Sequence, residues 1–294
     1  MEHIGSFFAV ACAFVWSVSV ILFKTLDGEI HPLMLNFYKN TLGFICLVPT
    51  TYLFHSYFIN LDDLGSNIYI MISGAIGISV ADGLVLMALS RLGATRFAVV
   101  ETVYAPTMIL ASVLFLGESL AVATIIGGCF ILLGIITVNY TPEKSEIDRK
   151  LLIEGTLLGM LGFICMAVGV LIVKPILNKV DLMWVIELRL FSGMIGSFLL
   201  TRFLKKRHRG IVAGLRSKAP LKLFMACFLS TYVSMIMWVA AFKYADVSHA
   251  SLLNQSVTFF TVVLAAIFLK ERLSFRKYLG LSFAITGVLL VILQ

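Results

Sequence analysis

Three ionisable side chains stand inside long apolar runs of this chain. They are Lys39 in "LNFYKNTLGF", Asp82 in "GISVADGLVL" and Glu101 in "FAVVETVYAP". One cation and two carboxylates can pair, carry a proton, or hold a polar solute. A charge at the centre of a membrane helix costs at least about 2.5 kcal/mol, so such groups face a protein interior or a wet cavity. Taking a carboxyl out of water favours its neutral form, which is the property a proton-coupling group needs. The structural alternative is that Lys39 simply neutralises one of the two acids, which leaves the other to be explained.

The elements that must position these groups follow from composition. Hydrophobic residues make up 60% of the 294, charged residues 13%, and the mean hydropathy is +1.00. A soluble domain carries about a quarter charged residues, so this chain has too little polar surface to face water. Backbone in hydrocarbon must bond internally, as helices or closed barrels. The apolar runs are continuous rather than alternating, which selects helices. A span takes roughly 20 apolar residues. Ten such runs are expected: 5–23, 33–54, 67–89, 95–115, 121–139, 152–173, 183–203, 221–242, 248–269 and 275–293. Pro32 and Pro220 open two of them, where the missing N–H costs nothing. The first run has neither a basic leader region nor a small-residue cleavage site, and is read as a span.

The polar linker "TPEKSEIDRK" (141–150) divides the runs five and five. The expected organisation is a first repeat over 1–140, a linker over 141–151 and a second repeat over 152–294. "FLGESLAVATIIGGCFILLG" (115–134) matches "FLKERLSFRKYLGLSFAITG" (268–287) at an offset of 153. At an offset of 150, Gly5 falls on Gly155, Lys24 on Lys174, Lys39 on Arg189 and Gly43 on Gly193. Five spans is an odd number, so the second repeat enters the membrane from the opposite side. An all-α integral membrane protein of ten helices in two inverted repeats follows, an architecture typical of secondary transporters.

At about 1.5 Å per residue, Trp16, Lys39, Asp82 and Glu101 share one layer roughly 10 Å below one membrane face. The duplicated layer, entered from the other side, is Met166, Arg189, Met235 and Asn254. Lys39 keeps a basic counterpart, whereas Asp82 and Glu101 lose their charge in the copy. Tyr104, Tyr232, Trp238, Gln255 and Ser256 also lie in spans and are candidates for the same cavity. The candidate solute-and-coupling set is therefore Glu101, Lys39, Asp82, Trp16, Asn254, Arg189, Tyr104, Trp238 and Gln255. Arg189 is read as the more structural of the two cations, and Glu101 as facing a cavity, paired with Lys39 or protonated.

Two five-helix repeats, each with an L-x-E-x-L turn and a Gly-rich last helix, resemble the drug/metabolite transporter superfamily, EamA type. The segment "ALSRLGATRFAVVETVYAPTMILASVLFLGESL" (88–120) is the most recognisable, with Pro106 in the fourth helix and the Glu118 turn. The second copy departs from it by placing Phe259 where the first has Pro106. The resemblance covers essentially the whole chain. It implies a ten-helix carrier of small metabolites and leaves the solute open.

The remaining polar residues are read structurally. Glu118 and Glu271 lie in tight turns and are expected to cap the next helix. Asp246 and His249 are read as interfacial. Gly127, Gly128, Gly134, Gly280 and Gly287 let helices approach, and the five cysteines are small apolar fillers. No HExxH, CxxC or GxSxG occurs, and Asp62-Asp63 is the only adjacent acidic pair. No cofactor, metal or catalytic residue is expected. A membrane enzyme, a channel and a structural subunit stand as the rival classes.

The net charge of +7 fits cytoplasmic loops beside anionic lipid rather than nucleic acid. Of the 21 Lys and Arg outside the charged layers, 3 fall on the side of the termini and 18 on the other, eight of them in 202–222. The positive-inside rule then puts both termini outside, whereas the resemblance implies termini inside. The expected partners are a small solute and the lipid of a bacterial plasma membrane, anionic near 202–222, with the chain a monomer or homodimer.

Overall fold

A computed structural model describes residues 2–54, 63–116, 148–203, 219–271 and 274–292, with scattered positions between 122 and 137. Among the described residues every regular element is a helix. The first half contains α1 (Glu2–Thr25), α2 (Pro32–Phe54), α3 (Leu64–Gly74), a π-helical segment (Ala75–Val80), α4 (Ala81–Leu92), α5 (Ala94–Glu101) and α6 (Tyr104–Leu116). The second half opens with α7 (Arg149–Val173), a 3-10 turn (Lys174–Ile176), α8 (Leu182–Phe203), α9 (Pro220–Cys227) and a second π-helical segment (Phe228–Val233). It closes with α10 (Ser234–Tyr244), α11 (Val247–Asn254), α12 (Ser256–Phe268) and α13 (Phe275–Ile292).

Six stretches among the described residues are long and apolar enough to cross a bilayer: Ile4–Thr25, Leu64–Leu92, Ala94–Phe115, Arg149–Ile176, Leu182–Arg202 and Pro220–Tyr244. Ser256–Phe268 and Tyr278–Gly287 are shorter apolar helices. The expected fifth span (121–139), Glu118, most of the linker and residues 204–218 lie largely or wholly outside the described residues. Large apolar side chains such as Phe115 and Leu53, each 75% exposed, cover the outside of the bundle, as lipid contact requires.

Local chemistry sets the helix ends. Pro32 and Pro220 begin α2 and α9 as expected. Asp63, half of the acidic pair, caps α3 by accepting from the Ser66 hydroxyl and from its N–H at 3.0 Å. These two bonds hold its carboxyl below the ordinary aspartate range. Gly93 joins α4 to α5 at φ +76°, a backbone region that L side chains avoid.

The two halves interlock rather than sit side by side. Gly5 of α1 and Gly155 of α7 are one duplicated pair. A Cβ on Gly5 would meet the Ala245 backbone at 2.9 Å, and one on Gly155 would meet Leu92 at 2.8 Å. Ala245 and Leu92 are themselves separated by 153 residues. Gly43 and Gly193 form the second pair: their Cβ atoms would strike Thr231 at 2.4 Å and Ile78 at 2.6 Å, and those targets are again 153 apart. Lys24 donates to the Ser90 carbonyl at 3.1 Å, while its counterpart Lys174 donates to the Phe242 carbonyl at 2.6 Å. The duplication is thus written in the packing as well as in the sequence. The opening helices of each half press against the third span of the other half.

Two spans differ from expectation. The fourth and ninth runs, read as continuous helices, are each interrupted in mid-span. The first break is Thr102–Val103, where i→i−3 bonds replace the α-helical ladder. Pro106 accounts for it, because its ring excludes the carbonyl four residues earlier and its nitrogen cannot donate. That carbonyl belongs to Thr102. The second break is at Gln255, between α11 and α12, and Phe259 in the proline's place supplies no equivalent reason. The π-helical segments also recur 153 residues apart, at Ala75–Val80 and Phe228–Val233.

Candidate functional site

The breaks and the π-helical segments surround one cavity. Its volume is about 70 Å³, room for roughly five waters at ~10–15 Å³ each. All nine candidate residues line it: Trp16, Lys39, Asp82, Glu101, Tyr104, Arg189, Trp238, Asn254 and Gln255. The two expected layers, one per repeat, therefore meet around a single space, with Met166 and Met235 completing the second. Tyr232 and Ser256 are not among the lining residues. Tyr232 lies against Thr50, their hydroxyls 2.7 Å apart.

Lys39 and Asp82 form the central pair. Lys39 is 1% exposed; its Nζ lies 2.5 Å from Asp82 Oδ2 and donates to Asn40 Oδ1 at 3.0 Å. Asn40 donates in turn to Asn36 Oδ1 at 3.2 Å. Asn36 donates to the carbonyls of Ile78 and Ser79, at 3.2 and 2.9 Å. Those carbonyls belong to the π-helical segment, whose wider turn disturbs the regular ladder. Asn36 and Asn40 thus anchor the lysine to the irregular backbone. Sequence reasoning missed both, although an asparagine inside an apolar run raises the same question as a charge.

Glu101 sits elsewhere on the wall. The pairing with Lys39 left open by the sequence is not what forms, because Asp82 takes the lysine. Glu101 Oε1 accepts from the Trp16 indole Nε1 at 2.8 Å. Its Oε2 is buried and has no hydrogen-bond partner among the described residues. Among the described residues the carboxyl thus meets a neutral donor and no cation, at the C-terminal end of α5, just before the break.

Arg189 enters from α8 and crosses between the halves. Its Nη1 donates to Ser73 Oγ at 2.6 Å and to the Gly169 carbonyl at 3.4 Å, and Ser73 also donates to that carbonyl. The guanidinium lies 5.4 Å from the Trp238 ring centre, within cation–π range. Its Nε has no hydrogen-bond partner among the described residues. Gly77 and Gly169 let the two backbones meet here: a Cβ on Gly169 would fall 2.9 Å from Gly77 Cα. Asn254 Oδ1 and Gln255 Oε1, at the second break, are buried acceptors without partners among the described residues.

Glu271 and Asp246 stay outside the cavity. Glu271 does cap a helix, but not the one that follows it. Its carboxylate accepts from Ala94 N (3.0 Å), Thr95 N (3.2 Å) and Thr95 Oγ1 (2.5 Å), so a second-half turn caps α5 of the first half. Gly93 keeps that approach open, since a Cβ there would lie 3.3 Å from Glu271 Oε1. Asp246 is exposed, and the five cysteines are free, with the buried Cys12 on the cavity wall beside Ser234. Among the described residues no three His, Cys, Asp or Glu side chains converge as a metal site would require.

A family profile described as the EamA-like transporter family matches residues 3–140 and again 153–293. A Bacillus subtilis (strain 168) protein named uncharacterized transporter YvbV is 26% identical over 225 residues, covering 75% of this chain and 70% of the relative. A solved crystal structure, 14% identical, superposes with a TM-score of 0.74 over 98% of this chain and 96% of its own, which speaks for the fold alone. The two profile matches cover nearly the whole chain as two repeats, and with its apolar spans they make it a multi-pass membrane protein: the chain belongs to the EamA-like transporter family.

Proposed function

We propose that the protein is a secondary transporter of a small amino-acid-like or amphipathic solute, working by alternating access and coupled to protons through Glu101. The observation that carries this reading is the cavity. It lies between the halves, is lined by both interrupted spans, and holds a carboxyl with no cationic partner among the described residues. Transporter sites typically sit at such helix interruptions near the repeat interface. The tight glycine contacts between halves favour rigid bodies that rock about the site. A catalytic reading would need a nucleophile with its base, and the cavity offers no such pair. We place the protein in a bacterial plasma membrane, as monomer or homodimer, with both termini outside and the basic stretch 202–222 against anionic lipid.

Counterflow in proteoliposomes tests the class, because a carrier exchanges labelled for unlabelled solute and a channel does not. Glu101→Gln tests the coupling. Glutamine keeps the volume and removes the titrating proton, so the variant should fold and transport with a flattened pH dependence between about pH 5.5 and 8. A variant that kept the parent's pH profile would remove Glu101 from the coupling step.

A further inference from the structure

The cavity's hydrogen-bonding inventory is lopsided. Its free buried groups are three acceptors, Glu101 Oε2, Asn254 Oδ1 and Gln255 Oε1, against one N–H donor, Arg189 Nε, and the Tyr104 hydroxyl, which can donate or accept. Glu101 and Gln255 are 6% and 3% exposed, so bulk water does not serve them. The two cations that line the cavity do not serve them either. Lys39 is committed to Asp82 and Asn40, and Arg189 to Ser73, Gly169 and the face of Trp238. From these observations we infer that the solute is recognised through a primary ammonium group, docked on the free oxygens of Glu101, Asn254 and Gln255.

An ammonium carries three N–H donors and no acceptor, which matches three acceptors and no spare cation. A carboxylate in the same place would add acceptors to acceptors. The rest of the wall suits an apolar or aromatic body: Trp16, Tyr104, Phe163 and Met235 face the same space. A simple arylalkylamine and an aromatic amino acid share this chemistry. They differ in whether a carboxylate reaches Arg189 Nε.

The inference rests on the transport reading for its purpose and gives it a coupling rule. The titratable and charged groups of the cavity are Cys12 from α1, Lys39 from α2, Asp82 from α4, Tyr104 from α6 and Arg189 from α8, besides Glu101. Of the other helices packed against α5, α7 and α12 contribute uncharged lining residues. The Lys39–Asp82 pair is formally neutral and Arg189 adds one positive charge. Protonating Glu101, or binding a monovalent ammonium to its carboxylate, leaves the same total. Proton and ammonium therefore exchange at Glu101 without changing the charge the low-dielectric interior must carry.

Binding to purified protein in detergent, read by thermal shift and by the fluorescence of Trp16 and Trp238, tests this without any gradient. The probes are phenethylamine, phenylalanine and 3-phenylpropionate. Phenethylamine should bind, more weakly as the pH falls, and 3-phenylpropionate should not. Phenylalanine binding more tightly than phenethylamine would add Arg189 as the carboxylate's partner, and binding equal to phenethylamine would leave the ammonium as the whole determinant. Glu101→Gln should lower amine affinity at least about tenfold. Asn254→Leu and Gln255→Leu should weaken it while leaving Glu101 intact, so the idea stays testable if one variant fails to fold. Preferential binding of 3-phenylpropionate, failure of both amines to bind, or amine binding untouched in all three variants would overturn it. Counterflow is scored separately. Exchange of anions alone would keep transport and sink the ammonium site, whereas amine binding without exchange would keep the site and sink transport.

Discussion

Lys39→Met leaves Asp82 a buried anion without its ion-pair partner, and the cost can be worked from the geometry. The pair is separated by 2.5 Å, with side-chain exposures of 1% and 7%, so solvent does little to compensate. Removing one partner of such a pair costs about 3–5 kcal/mol. Losing the bond to Asn40 Oδ1 adds about 1 kcal/mol. Lys39→Met should therefore melt far below the parent, or fail to accumulate. Lys39→Met with Asp82→Asn should recover to within about 2 kcal/mol, because the stranded charge is gone. Lys39→Met with Glu101→Gln should stay as unstable as the single variant, since Glu101 is tied to Trp16 instead. The assay is a double-mutant cycle of melting temperature in detergent, with uptake measured on the stable members. Rescue by Glu101→Gln but not by Asp82→Asn, or additive effects throughout, would refute the pairing. If the rescued double variant still transports, Lys39 is a counter-ion. If it is stable and inactive, Lys39 also handles the solute.

Other expectations follow from particular contacts. Glu271→Ala removes three bonds to the start of α5 and should cost about 1–2 kcal/mol, with Glu271→Gln losing less; equal melting points for parent and Ala variant would dismiss the cross-half cap. Gly43→Ala places a methyl 2.4 Å from Thr231 Cγ2 and should destabilise by about 1–3 kcal/mol, partly relieved by Thr231→Ser, which deletes that carbon. A C-terminal reporter active only in the cytoplasm should stay silent if both termini lie outside, and activity from it would reverse the orientation.

Much of the fold was legible because hydrocarbon is a strict solvent. Long apolar runs, prolines at their starts and the register of Gly5, Lys24, Lys39 and Gly43 with their copies all have direct physical meanings, and the packing preserves them. The candidate set gathered on one cavity because ionisable or amide residues in mid-span have few other places to go. Pairing was less legible. Depth along a helix does not give azimuth, so Lys39 looked equally suited to Asp82 and Glu101. The fourth-span break was half legible, since Pro106 signals it in the first copy and nothing comparable does in the second. The Glu271 cap fell on a helix of the other half because chain neighbours are not the only neighbours in an interlocked bundle. Asn36, Asn40 and Ser73 escaped notice because uncharged polar residues are cheaper to bury than charges.

What the duplication keeps and what it discards divide along a physical line. The tight glycine contacts, the π-helical segments, the lysines at Lys24 and Lys174 and the interruptions of the fourth spans all occur twice. These parts decide how one half lies against the other. The acids occur once: Asp82 faces Met235 in the copy, and Glu101 faces Asn254. The asparagine pair that anchors Lys39 is likewise absent from the copy, where Asn36 is matched by Ile186 and Asn40 by Leu190. Two identical buried carboxylates around one small cavity would repel each other and resist ionising together. Replacing one by an amide removes that conflict and keeps an acceptor in place. On the proposed reading, the repeated parts let the halves exchange conformations, and the unrepeated ones give one carboxyl outside any ion pair, Glu101, to whichever face is open.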